Sequence, residues 1–159
     1  MKKLTLILIV ITCNSLLIPA LAQQITSDPQ RYQTTPPQKT FIPLHIHIDS
    51  GDAPLAAFQF ELTASTETVY ITGVENGSHP AFAATPPYYD PAALQNNRII
   101  IANFSTTNNL PTGATRVATI HLMIEGPQTP QYHLTLITAA DKNGDQINAR
   151  ISLIQGDLK

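Results

Sequence analysis

Beyond residue 40 the chain returns again and again to one pattern, an apolar side chain at every second position of a short segment. In residues 41–48, FIPLHIHI, Leu44, Ile46 and Ile48 fall on one side and Pro43, His45 and His47 on the other, the pattern of a half-buried β-strand. Residues 56–63 repeat it, with Phe58, Phe60 and Leu62 opposed by Gln59, Glu61 and Thr63, after a turn built from Asp49, Ser50, Gly51 and Asp52. Further strands are predicted over residues 68–74, 98–104, 116–124, 132–139 and 146–154. Along 116–124, Ile120, Leu122 and Ile124 share one face while Thr119, His121 and Met123 share the other. Ile99, Ile100 and Ile101 are consecutive, which predicts a strand covered on both faces and central in its sheet. Turn formers separate the segments, among them Asn76-Gly77, Gly126-Pro127 and residues 141–145. Short strands punctuated at this spacing predict an all-β fold, a sandwich of two sheets. One helical turn is expected at residues 90–94, with Asp90 as cap and Pro91 at the first helical position. Phe58, Phe60 and Ile120 are the expected centre of the core.

The first 22 residues follow a different pattern. Lys2 and Lys3 precede a mostly apolar run that ends in Ala20-Leu21-Ala22, a small-residue cleavage motif. Residues 1–22 are expected to be a cleaved signal peptide, which predicts a secreted, periplasmic or cell-envelope protein with no membrane span in the mature chain. Cys13, the one cysteine, lies in that leader, so the remainder is held by packing and not by disulfides. Residues 23–39 are rich in Gln, Pro and Thr without an apolar period, and read as a flexible linker. Residues 40–159 then form one domain, long enough for a self-sufficient core. Charged residues are only 13% of the chain and the formal net charge is −2, so no basic field exists to hold a polyanion and nucleic acid is excluded as a partner.

Candidate chemistry is sparse. Asp141-Lys142-Asn143-Gly144-Asp145 alternates oxygen side chains as a calcium loop does, but Gln146 and Ser152 stand where a helix-loop-helix site needs Gly and a bidentate Glu. With strand sequence on both sides, an Asn143-Gly144 hairpin turn accounts for the same residues. His45 and His47 share one strand face and His121 and His133 also sit on polar faces, yet no Cys or recurring carboxylate completes a ligand set, and no metal or other cofactor is expected. No nucleophile motif, phosphate-cradling glycine loop or paired-carboxylate pattern is present, so an enzyme is not expected. The longest irregular stretch, residues 78–91, holds Phe82, Tyr88 and Tyr89 among Pro80, Pro86 and Pro87, a rigid aromatic loop suited either to stacking a sugar ring or to plugging one end of the sandwich. Asn76-Gly77-Ser78 and Asn103-Phe104-Ser105 are formal glycosylation sequons.

The order of the pieces resembles the cohesin family, secreted modules that hold dockerin-bearing proteins in polysaccharide-degrading assemblies. The matching segments are a Pro-containing early strand (41–48), an Ala-Phe-Gln-Phe strand (57–62), a Gly-Val-x-x-Gly turn (73–77), a Gly followed by an alternating strand (113–124) and an Ala-x-Asp-x-Asn-Gly-like turn (139–147). The Tyr-Asp-Pro that usually follows the Phe-Gln-Phe strand is replaced by Ala64-Ser65-Thr66-Glu67. The resemblance implies a jelly-roll sandwich of about nine strands, without catalytic residues or cofactor, that binds a dockerin-like protein partner on one sheet face. Candidate contacts on such a face are Gln59, Glu61, Thr119 and His121. The alternative reading is a carbohydrate-binding module that stacks polysaccharide on Phe82, Tyr88 and Tyr89. A metal-dependent sandwich enzyme built on His45 and His47 is a third.

Overall fold

The computed structural model describes residues 37–157. The expected signal peptide and nearly all of the expected linker lie outside the described residues. Seven strands carry the fold: β1 (Lys39–Asp49), β2 (Ala57–Ala64), β3 (Val69–Asn76), β4 (Arg98–Phe104), β5 (Ala114–Glu125), β6 (Tyr132–Ala140) and β7 (Arg150–Gln155). A four-stranded sheet has the order β3-β5-β1-β7 and a three-stranded sheet the order β4-β2-β6, with all pairings antiparallel. The all-β two-sheet sandwich is as the sequence predicts. Seven strands stand in place of the nine expected, and two single bridges, Tyr88 with Ala102 and Ala140 with Gln146, add one residue pair at each edge of the three-stranded sheet.

Successive strands alternate strictly between the sheets, so no strand pairs with its neighbour in the chain. The turn at residues 141–145 shows what this does to local signals. Asp141 N–H donates to the Asp145 carbonyl at 3.0 Å, Ile147 N–H donates to the Ala139 carbonyl at 2.9 Å, and Gly144 takes φ +87. That is a tight turn of the expected kind, but after Ala149 the chain crosses to the other sheet. β7 therefore starts at Arg150 and not at Gln146, and pairs with β1. A second correction concerns β4, which is an edge strand and not a central one. Ile99 and Ile101 point into the core, whereas Ile100 is only partly covered on the outer face. A triple apolar run thus reflects an apolar patch on the outside.

The core is the inward half of each alternation. Leu44, Ile46 and Ile48 of β1, Phe58, Phe60 and Leu62 of β2, Ile99 and Ile101 of β4, and Ile120 and Leu122 of β5 are all sealed from solvent. Phe58 lies 6.0 Å from Phe60 and meets Phe82 edge-on at 5.1 Å. Phe82 belongs to a short helix, α1 (Pro80–Ala83), capped by the His79 ring, whose Nδ1 accepts from Ala81 N–H. The expected turn after Asp90 is a 3-10 helix over Pro91–Ala93, with the Asp90 carboxylate accepting from Ala92 N–H at 2.9 Å. Among the described residues no helix is long and apolar enough to cross a membrane.

Phe60 has no exposed surface, so Phe60→Ala should lower unfolding free energy by about 3 to 5 kcal/mol in chemical denaturation. Gly77 is held against β5, where an added Cβ would lie 2.8 Å from the Arg116 carbonyl oxygen and 3.0 Å from that of Val117. Backbone cannot yield as a flexible side chain can, so Gly77→Ala should cost about 1 to 3 kcal/mol. A Gly77→Ala protein as stable as the parent would contradict this packing.

Candidate functional site

The four candidate contacts do not share a face. Gln59 and Glu61 lie on β2 in the three-stranded sheet, while Thr119 and His121 lie on β5 in the four-stranded sheet, so the pairs look out from opposite sides of the sandwich. Thr119 is also only 1% exposed, although its register is outward. A bulge brings this about: His45 pairs with Thr119 and His47 with Arg116, leaving an extra residue in β5. Thr119 Oγ1 then sits beneath His45 Nδ1 at 3.0 Å and Arg116 Nη1 at 3.4 Å. His121 Nε2 lies 3.0 Å from a Glu75 carboxylate oxygen.

The loop aromatics separate as well. Phe82 is a core residue with no exposure, and Tyr89 packs against the core, so the trio offers no shared stacking platform. Tyr88 alone projects, at 57% exposure, and its partner is one that the sequence reading overlooked. Tyr88 exchanges backbone hydrogen bonds with Ala102 at 2.8 and 2.9 Å, which fixes it beside β4. Its ring stacks on Phe104, itself 55% exposed, at 6.1 Å and 7° between planes. The signal was present in β4: Ile100, Ala102 and Phe104 alternate outward against Ile99, Ile101 and Asn103.

Large apolar side chains are exposed on both sheets, Phe41 and Ile154 on the four-stranded one and Tyr88, Phe104 and Ile137 on the three-stranded one, where two of them stack. Beside β4 runs a groove of about 680 Å³, with Tyr88, Ile100, Ala102 and Gln59 among its lining residues. At the far edge a bulge in β6 sets Gln59 opposite Thr138 and Phe60 opposite Leu136, so Ile137 is the extra residue, and it is 45% exposed. Across β4 and the central strand β2, Arg98 and Glu61 form a two-bonded pair at 3.0 and 2.9 Å, with Thr63 Oγ1 donating to the same carboxylate. The hydrogen bonds from Arg98 hold the Glu61 carboxyl below its usual range, and Glu61 raises Arg98 in return. The face thus has an apolar cluster along its β4 edge, Tyr88, Ile100, Ala102 and Phe104, beside a polar row on β2, Gln59, Glu61 and Thr63.

The remaining candidates are placed as follows. His45, His47 and His121 line the outer face of the four-stranded sheet and His133 that of the other, so they do not converge. Among the described residues no three His, Cys, Asp or Glu side chains gather in metal-binding geometry. Asp141 Oδ1 accepts from the N–H groups of Asn143 and Asp145, at 2.8 and 3.0 Å, so that carboxylate organises its own turn. Both sequons are engaged by the fold. Asn76 Nδ2 donates to the Ala83 carbonyl at 2.7 Å, and Asn103, only 2% exposed, donates to Thr85 and accepts from Phe104 N–H.

No family model matches this chain, and no curated protein matches it. Two solved structures resemble it. A non-cellulosomal cohesin from the hyperthermophilic archaeon Archaeoglobus fulgidus superposes with a TM-score of 0.55 at 16% identity, over 70% of this chain and 75% of that one. A chain from the crystal structure of the CaDoc0917–CaCohA2 complex at pH 5.5 superposes with a TM-score of 0.54 at 14% identity, over 71% and 84%. The fold is cohesin-like, as the order of sequence motifs implies.

A depressed Glu61 is stabilising in the folded state above its unfolded pKa, and that contribution is lost as pH falls through the folded value. Carbon-detected titration should place the Glu61 midpoint below the ordinary 4.5, and Arg98→Ala should return it toward that value. An unchanged midpoint in Arg98→Ala would remove the pair from the description of this face.

Proposed function

We propose that the chain is an exported, non-catalytic binding module that docks a dockerin-like protein on the outer face of its three-stranded sheet. The carrying observation is the Tyr88–Phe104 stack, two large rings packed on each other and more than half exposed. Aromatic anchors of this kind supply large contact area at low entropic cost, and a few such residues dominate the energy of most interfaces. Ile100 extends the apolar cluster along β4, and the neighbouring Arg98–Glu61 pair favours one orientation of a partner over others. The cohesin-like fold supports the reading, and so does a neighbour taken from a two-component complex. A role in a polysaccharide-degrading assembly, delivered there by the leader at residues 1–22, completes the proposal. Of the four original contacts it keeps Gln59 and Glu61 and leaves Thr119 and His121 outside the site.

Titration against a panel of purified dockerin modules tests this. Tyr88→Ala with Phe104→Ala should weaken binding by about 2 kcal/mol or more, while circular dichroism stays that of the parent. His121→Ala, on the opposite sheet, should bind normally. Loss of binding in His121→Ala with the aromatic variant unaffected would move the site to the four-stranded sheet, and a panel without any binder would refute the dockerin-like partner.

A further inference from the structure

The two ends of the sandwich are finished differently. Where β2 begins and β4 ends, Leu55 and Phe82 insert between the sheets and seal them. At the other end there is a cavity of about 420 Å³. Its floor is Ile42 on β1 and Ile124 on β5, both almost fully buried. Above that floor the inward register continues with polar residues. Thr40 stands two positions before Ile42 and Gln155 two positions after Leu153, each where continued packing would call for an apolar side chain. The loop between β5 and β6 forms the outer wall with Pro127, Gln128, Thr129 and Pro130, and Tyr132 closes the side at the start of β6.

The lining is specific in its chemistry. Gln38, Thr40, Gln128, Thr129 and Gln155 carry amides and hydroxyls, groups that both donate and accept. No lining side chain is an acid, a lysine or an arginine. The nearest charges along the strands, Lys39 and Glu125, are register partners on the outward side and bond each other at 2.9 Å. The Tyr132 hydroxyl is shut away without a hydrogen-bond partner, a deficit that normally costs about 1 to 3 kcal/mol and calls for an explanation. Burial also pushes its pKa up. A matching guest is uncharged, dense in hydroxyls, and has an apolar face for the isoleucine floor and the proline rings. A volume in the usual range for small-molecule sites admits it.

We propose that this end cavity binds a short uncharged saccharide, at a place separate from the protein-docking face. The loop aromatics take no part in it. Two-dimensional amide spectra of the isotope-labelled full chain, titrated with cellobiose, maltose and N,N′-diacetylchitobiose to about 10 mM, provide the test. Saturable shifts at Thr40, Thr129 and Gln155 are expected with at least one of the three sugars. Thr40→Val combined with Gln155→Leu should weaken that binding about tenfold or more, as expected for lost hydrogen bonds, with a dispersed spectrum reporting an intact fold. Should that pair fail to fold, Gln128→Ala in the exposed loop serves the same purpose. No shift with any sugar, shifts centred on Tyr88 and Phe104, or undiminished binding in a folded cavity variant would each overturn the proposal.

Discussion

Every connection in this domain crosses from one sheet to the other, and the rest of the structure answers to that constraint. No ladder joins strands that are neighbours in the chain, so each hydrogen-bonded pair unites residues far apart in sequence. Loop geometry therefore cannot set register as it does in a hairpin. Register is set by burial: a slip of one residue in β1 would turn Leu44, Ile46 and Ile48 outward and His45 and His47 into the core. With no cysteine among the described residues, the inward half of the alternation is the principal source of stability. Folds dominated by such distant pairings order slowly, because the loop entropy is spent before the contacts reward it.

The same constraint decides where the molecule can meet other molecules. Inward positions are committed to the core, so variety is confined to the outer faces and the two ends. On the three-stranded sheet the variety comes from one added residue, Ile137, and from a loop that returns to lay Tyr88 beside β4. On the four-stranded sheet an added residue in β5 has the opposite result, drawing Thr119 under His45 and Arg116. Identical local chemistry, a bulge in an antiparallel ladder, enlarges one surface and closes another.

Period and turn chemistry made the strands legible, because both are local. β4 falls where its sequence predicts, and Asp90 caps the turn that its position before Pro91 announces. What stayed hidden depends on partners. Nothing near Thr119 distinguishes it from Gln59, since both alternate with core residues and only the three-dimensional neighbours bury one of them. Phe82 and Tyr88 sit six positions apart in one proline-rich stretch, yet one is a plug and the other an anchor, according to whether α1 or the Ala102 bridge claims it. The candidate face was therefore half readable: the outward alternation of Gln59, Glu61 and Phe104 is local, while the stacking of Tyr88 on Phe104 and the extra residue at Ile137 required the ladder.

The inward turn of Asn103 bears on how this protein can be made. Its amide is spent on Thr85 and Phe104 in a site with no room for a glycan. Oligosaccharyltransferases act on the emerging chain, ahead of tertiary structure, and a sugar added then would hold β4 away from the core it must join. A production host that lacks this machinery, or a Ser105→Ala chain in one that has it, avoids the obstruction and leaves the Asn103 amide to its partners.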